Sequence, residues 1–241
     1  LAVPETPETD ERPQPWGKTQ IVGKPVSRVD AYQRVSGDAV YPSDVILPAM
    51  LYAAIVRCPH PNAVVKGVDI KAAENMPGVV AIIDGSTPEA DIEWPHSKDV
   101  KAKLFDPHCR FEGETVAAVA AETPYQARDA ARAIKVEYEV LDFVVDERKS
   151  LESGVVAVHE SGNEVKTGKY QRGNVEKGFS EADVILEQTY RSECELHTPM
   201  ELHGTVADWD GDRLTVWEST QGVYAVQARV AELLKLPLAK V

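Results

Sequence analysis

Arg191 to Gly222 reads RSECELHTPMELHGTVADWDGDRLTVWESTQG and gathers Cys194, Glu195, His197, Glu201 and His203, side chains able to hold a metal, move a proton or accept a hydrogen bond. A strand interrupted by so many polar groups is either a site or a packed turn. His197 and Glu201 stand four apart with His203 close behind, which has the look of a metal site. Pro199 and Gly204 disfavour a continuous helix, so the pair is not presented as a metalloprotease HExxH would present it. No metal ligand is therefore assigned, and a structural role, orienting a strand, is preferred. Cys58, in IVRCPH, reads as a small core residue, because no His or Asp partner is signalled for a nucleophile. His108 and Cys109 resemble a dyad, but neighbours on an extended chain point opposite ways. Asp210 and Asp212 belong to a turn, since the spacing and terminal Glu of a calcium loop are missing. Trp94, Trp209 and Trp217 read as core or interface aromatics.

The elements that must position these residues are legible from pattern. Leu1 to residue 19 holds Pro4, Pro7, Pro13 and Pro15 among acidic residues, an extended arm. Residues 20–145 alternate short β-branched runs with two helices. Met50–Cys58 and Ala63–Ile70 are strands joined at Pro59 to Asn62, Lys71–Met76 is a short helix, and Val79–Asp84 is a strand. A loop over Gly85–His108 precedes a strand within Phe111–Glu122. Thr123 and Pro124 then signal the cap and first turn of a helix. Lys135–Leu141 turns Val136, Tyr138 and Val140 inward. The order β, β, α, β, loop, β, α, β describes an α+β domain. Residues 146–180, glycine-rich, read as a surface linker. Residues 181–241 begin a second unit: a β element at Glu181–Tyr190, a hairpin turning at Asp210-Gly211, and a helix over Val223–Leu236. That unit is expected to be incomplete within this chain.

Composition excludes several classes. Lys plus Arg total 26 against 39 acidic residues, a net charge of −13 with scattered cations, so nucleic acid is not an expected partner. The apolar runs fall far short of the roughly 20 residues of a membrane span. Three separated cysteines form neither a disulfide framework nor an iron–sulfur motif, which fits a reducing compartment. The cytoplasm is the expected location, or the periplasm if a leader was removed; the first residue is Leu1 and no intact signal peptide opens the chain.

The segments VGKPVSRVDAYQRVSGDAVYPSD, LYAAIVRCPHPNAVVKGVDIKAAENMPGVVAIIDG and FEGETVAAVAAETPYQARDAARAIKVEYEVL resemble the hammerhead domain of the xanthine dehydrogenase and aldehyde oxidase family. ELHTPMELHGTVADWDGDRLTVWESTQGVYAVQARVAELLKLP resembles the start of that family's molybdopterin-binding region. The resemblance implies a molybdenum hydroxylase subunit that binds molybdenum–molybdopterin. It further implies oxidation of an aldehyde or N-heteroaromatic substrate with oxygen from water. Electrons would pass to iron–sulfur clusters, and in some relatives to FAD, on an iron–sulfur subunit and a flavin subunit. The family's catalytic base and glycine-rich cofactor loops lie beyond the matched region, so no catalytic residue is assigned within this chain and the chain alone is expected to be inactive. The same fold in a reductive aromatic thioester dehydroxylase, or a non-catalytic docking module, are the rival readings.

In many relatives a glutamine two positions before the histidine of a QxHxxxE pattern hydrogen-bonds an oxygen ligand of molybdenum. Glu195 holds that position here, ahead of His197 and Glu201. An ionised carboxylate only accepts hydrogen bonds, so Glu195 must be protonated or turned away to replace the amide. Gln221 sits at a strand end just before a helix, where an amide and backbone N–H groups can approach a pterin or pyrophosphate. The competing reading of the same residues is a helix cap from Ser219 or Thr220.

Overall fold

Small side chains on a central strand set how closely the layers of this protein approach. The structure is a computed structural model that describes residues 21–95, 101–164 and 168–241. The arm expected over residues 1–19 and the side-chain role expected for Trp94 lie outside the described residues. In chain order, Ala31–Ser36 is a short helix (α1) ended by Gly37 at φ 84°. Tyr52–Arg57 (β1), Ala63–Asp69 (β2), Lys71–Glu74 (α2) and Val79–Asp84 (β3) follow. Next come Glu93–Pro95 (β4), Lys101–Lys103 (β5), His108–Cys109 (β6), Thr115–Ala121 (β7), Pro124–Ala133 (α3) and Lys135–Val140 (β8). Val175–Ser180 (α4), Thr205–Asp210 (β9), Arg213–Glu218 (β10) and Val223–Leu233 (α5) complete the order.

β7 lies between β1 and β3, antiparallel to both. Its sequence TVAAVAA buries Val116, Ala117, Val119 and Ala121, so both of its faces are covered. Helix α3 packs across β1 and β7 through Ala127 and Ala130, both fully buried. A second sheet, β6-β2-β8, stands against the first. Val56, Val68 and Val136 touch both buried clusters, so the two sheets share one core. Thr123 caps α3 as expected: its hydroxyl accepts the Gln126 N–H at 3.2 Å, and Pro124 occupies the first turn, where its missing N–H costs nothing.

Four expectations are corrected. The loop over Gly85–His108 contains β4, β5 and the start of β6, each too short to leave a periodic signal; Lys101–Glu93 and Lys103–Asp91 ion pairs at 3.2 and 3.0 Å flank the β4–β5 pairing. Val140 is exposed rather than inward, because it pairs with Ala63 where the sheet ends. The stretch read as linker holds α4, whose first turn is capped by Asn174 accepting from the Lys177 N–H at 2.9 Å. Glu181–Tyr190 forms no strand, and Val184, Ile185, Leu186 and Tyr190 stand exposed, since among the described residues no strand lies alongside to complete a ladder.

His108 ties the second sheet to the chain that leaves it. The Asn62 amide donates to the Asp142 carbonyl at 2.6 Å, which turns its oxygen toward His108. The imidazole Nε2 is 2.8 Å from that oxygen and therefore donates, as a neutral ring does. Burial, and secondly the positive charge of Arg110, hold the imidazole below its ordinary pKa. Among the described residues, no helix is long and apolar enough to cross a membrane.

Two outcomes follow from these contacts. Thr123→Ala is expected to destabilise the chain by about 1 kcal/mol, read as a lower urea midpoint with an unchanged slope. His108 contributes nothing to pH dependence above its unfolded pKa. As pH falls through 6.5, the unfolded chain takes up the proton first, so stability is lost down to the folded pKa. His108→Gln keeps a donor for Asn62 without titrating, and the loss of stability between pH 7.5 and 5.5, read by urea unfolding, is expected to be smaller in this variant.

Candidate functional site

The second unit is organised by a hairpin whose ends are tied by side-chain as well as main-chain bonds. β9 and β10 pair in register from Asp210–Arg213 to Thr205–Glu218. The turn between them is Gly211-Asp212, with Gly211 at φ 62° and Asp212 on the ordinary side, the combination of a type II′ hairpin turn. Asp212 is held by Lys240 at 2.6 Å, a structural role that matches the turn reading. Beyond the last pair, the Ser219 hydroxyl accepts the Gly204 N–H at 2.9 Å, and the Ser219 N–H donates to the Gly204 carbonyl at 3.2 Å. The strand leaving the hairpin is thereby bonded to the chain entering it.

This closure makes a cleft of about 440 Å³. His197, Pro199, Glu201 and His203 line it from the entering chain, and Ser219, Thr220 and Gln221 from the leaving one. Every second residue of the entering chain faces the cleft, the pattern of an extended backbone. Ser219 and Thr220 do not cap α5: the capping position is Gly222, without a side-chain bond. The Thr220 hydroxyl instead accepts the Gly222 N–H at 3.1 Å, closing a local turn that leaves Gln221 at the cleft. Glu195 is exposed and belongs to the same alternate series one step earlier, outside the cleft lining. Gln221 is thus brought together with His197, Glu201 and His203, and Glu195 is not.

A cation near this cleft escaped the sequence reading. Arg34 on α1 bonds Asp30 at 2.6 Å and the Tyr41 hydroxyl at 3.0 Å, and feels the charge of Glu201. Hydrogen bonds from Arg34 and then Arg28 hold the Asp30 carboxyl down at about 2. The turn Pro42–Asp44 packs against β9, so this braced segment sits beside the hairpin. The signal that could have found it is the spacing of Arg28, Asp30 and Arg34, which places both guanidiniums within reach of one carboxylate.

The other sequence candidates are structural. Cys58 and Cys109 are buried in one cluster with Ala63 and Val116. Burial, followed by the Cys58 hydrogen bond, pushes the Cys109 thiol up to about 12, so the thiolate nucleophile is suppressed. Cys109 points into the core while His108 bonds Asn62, as expected for neighbours on a strand. Trp209 is 53% exposed and so is not a core residue, whereas Trp217 is half-buried. Among the described residues, no three His, Cys, Asp or Glu side chains are placed to share a metal ion.

Comparison with known proteins places this geometry. Residues 36–142 match the family model of the aldehyde oxidase and xanthine dehydrogenase a/b hammerhead domain, and residues 158–241 match that of the molybdopterin cofactor-binding domain. The chain is 32% identical over 224 residues to a probable xanthine dehydrogenase subunit of Bacillus subtilis, covering 92% of this chain and 30% of that protein. It is 31% identical over 223 residues to the nicotinate dehydrogenase large molybdopterin subunit of Eubacterium barkeri, covering 92% of this chain and 52% of that one. The crystal structure of quinoline 2-oxidoreductase from Pseudomonas putida 86 superposes with a TM-score of 0.79 at 26% identity, over 89% of this chain and 29% of that chain. The chain therefore spans between about a third and a half of the curated relatives named here. On two family models matched in order, these relatives and this likeness of fold, the chain belongs to the xanthine dehydrogenase and aldehyde oxidase family of molybdenum hydroxylases, carrying the hammerhead domain and molybdopterin-binding sequence of the large subunit.

Proposed function

We propose that this chain forms part of a molybdenum hydroxylase that oxidises an N-heteroaromatic or aldehyde substrate with oxygen from water, and passes electrons to an iron–sulfur subunit and a flavin subunit. The observation that carries the reading is the cleft of His197, Glu201, His203, Ser219, Thr220 and Gln221, which falls within residues 158–241 matched to the cofactor-binding model. Names among the relatives, nicotinate dehydrogenase and nicotine 6-hydroxylase, favour a nitrogen-containing ring. Residues 20–145 would be the hammerhead unit, 146–180 its connection, and 181–241 part of the cofactor unit.

The donor set suits the cofactor. A pterin that brings its own metal ligands needs hydrogen bonds rather than protein thiolates or a cluster of imidazoles, and the cleft offers hydroxyls, an amide, two imidazoles and the Glu201 carboxylate. When bound, the cofactor supplies the oxygen transfer and accepts two electrons. Gln221 would donate its amide N–H toward an oxygen on the cofactor without changing charge, and the hydroxyls of Ser219 and Thr220 orient the turn that presents it. Glu195 stands outside the cleft as folded, so a cofactor contact from it requires the chain before His197 to turn inward, where an ionised carboxylate would only accept hydrogen bonds.

Molybdenum and pterin analysis of the purified, intact enzyme containing this chain tests the reading; a fully assembled sample with neither overturns it. Within that enzyme, Gln221→Ala is expected to lower cofactor occupancy or turnover by about 10- to 100-fold. Glu195→Gln is expected to preserve or raise activity, and complete loss of cofactor in this variant would remove Glu195 from the site.

A further inference from the structure

Two of the three cysteines meet in the interior of the first unit. Cys58 is 1% exposed and Cys109 is fully buried, and both belong to one cluster with Ala63 and Val116. Further chain can only add to that burial. The Cys58 thiol donates to the His60 carbonyl at 3.6 Å, and Cys109 and Tyr138 both hydrogen-bond to the Cys58 sulfur. Main-chain bonds hold each cysteine at that contact. The Cys58 N–H donates to the Glu114 carbonyl, and its own carbonyl accepts the Gly113 N–H, each at 2.8 Å. Cys109 lies opposite Ala63 across the β2–β6 pairing, and the Val65 N–H donates to the Pro107 carbonyl at 2.7 Å. A lone buried cysteine is a small apolar filler. Two in contact, one at the end of β1 and one on β6, also hold a reaction, because each sulfur is the other's partner for a covalent bond.

We infer that Cys58 and Cys109 are a latent disulfide pair, which a small-molecule disulfide closes when β6 lifts from β2, stapling β6 to the end of β1. β6 is the element that lifts: it has two residues, pairs with β2 through Ala63–Cys109 and Val64–His108, and lies at the edge of the order β6-β2-β8. While the unit stays closed, burial excludes the oxidant and keeps the Cys109 thiol protonated, so reaction follows opening. In the opened state one cysteine, as thiolate, attacks a sulfur of the small disulfide and displaces one small thiol. The other cysteine attacks the mixed disulfide and displaces the second. The pair loses two electrons and two protons, and the external S–S bond takes them up as two thiols. The chain between the two sulfurs carries β2, α2, β3, β4 and β5, so the closed bond restrains all of that stretch in the unfolded state. In a reducing compartment the pair rests as thiols, and oxidation converts the first unit to its stapled form. None of the cleft residues takes part, so the staple is independent of the cofactor reading.

The test incubates the intact enzyme containing this chain with oxidised glutathione, in buffer and in urea below the unfolding transition. Remaining thiols are then alkylated, and the protein is digested without reduction for mass spectrometry. A peptide joining Cys58 to Cys109 is expected, lighter than the two reduced peptides together by two hydrogens. It is expected to form faster in urea and to be lost on adding dithiothreitol. Amide exchange over β2 and β6 is expected to slow by about 10-fold or more in the oxidised enzyme. Cys109→Val, which keeps an apolar side chain of similar size, is expected to give neither the linked peptide nor the slowed exchange. The linkage in the unsubstituted enzyme decides the matter even where that variant fails to fold. Glutathione adducts on either cysteine without a linked peptide overturn the inference. So do bonds to Cys194 in place of the pair, absence of reaction at every urea concentration short of unfolding, or a linked peptide with unchanged exchange.

Discussion

The close approach of α3 to β7 is the contact on which the first unit depends. A helix lies this near a sheet only where both surfaces are nearly flat, and Ala117, Ala121, Ala127 and Ala130 make them so, each fully buried. The larger Val119 and Ile134 fill the space those alanines leave, with Ala73 of α2 against the same cluster. Because β7 is paired on both edges, an added methyl on one of those alanines would have no free direction in which to move. The second sheet then needs only Val56, Val68 and Val136 to join the same core.

The cofactor unit is held differently. Its described elements bury little beyond Leu214 and Ala231, and its order comes from hydrogen bonds that close a hairpin and turn the chain into α5. Such bonds fix direction at modest net stability. They bring two stretches of sequence to the same cleft, one polar at alternate positions and one a tight turn ending in Gln221. The braced segment of Arg28, Asp30, Arg34 and Tyr41 reaches this hairpin from before the first strand, so residues far apart in sequence meet beside Glu201.

Local signals were readable wherever the physics is local. Thr123 and Pro124 marked a helix start because cap and first turn need only neighbouring residues. Asp210-Gly211 marked a hairpin because Gly211 takes the positive φ that the turn demands. The strands β4, β5 and β6 were not legible, since two or three residues cannot show a period. Val140 was misread for a related reason: alternation reports which side a residue faces, but not whether the sheet continues far enough to cover it.

By itself the sequence determined the cap of α3, the hairpin turn, the longer strands of the first unit, the absence of a cysteine framework and the motif order that carries the family resemblance, all of which rest on residue type and short spacing. Tertiary structure alone decided that Gln221, not Glu195, shares the cleft with His197, Glu201 and His203, and that Ser219 and Thr220 bond the hairpin and the turn instead of capping α5. It also decided that Cys58 and Cys109 share one buried cluster, and that Glu181–Tyr190 has no strand partner among the described residues. Each of these depends on which distant backbone lies alongside, a quantity that no local pattern encodes.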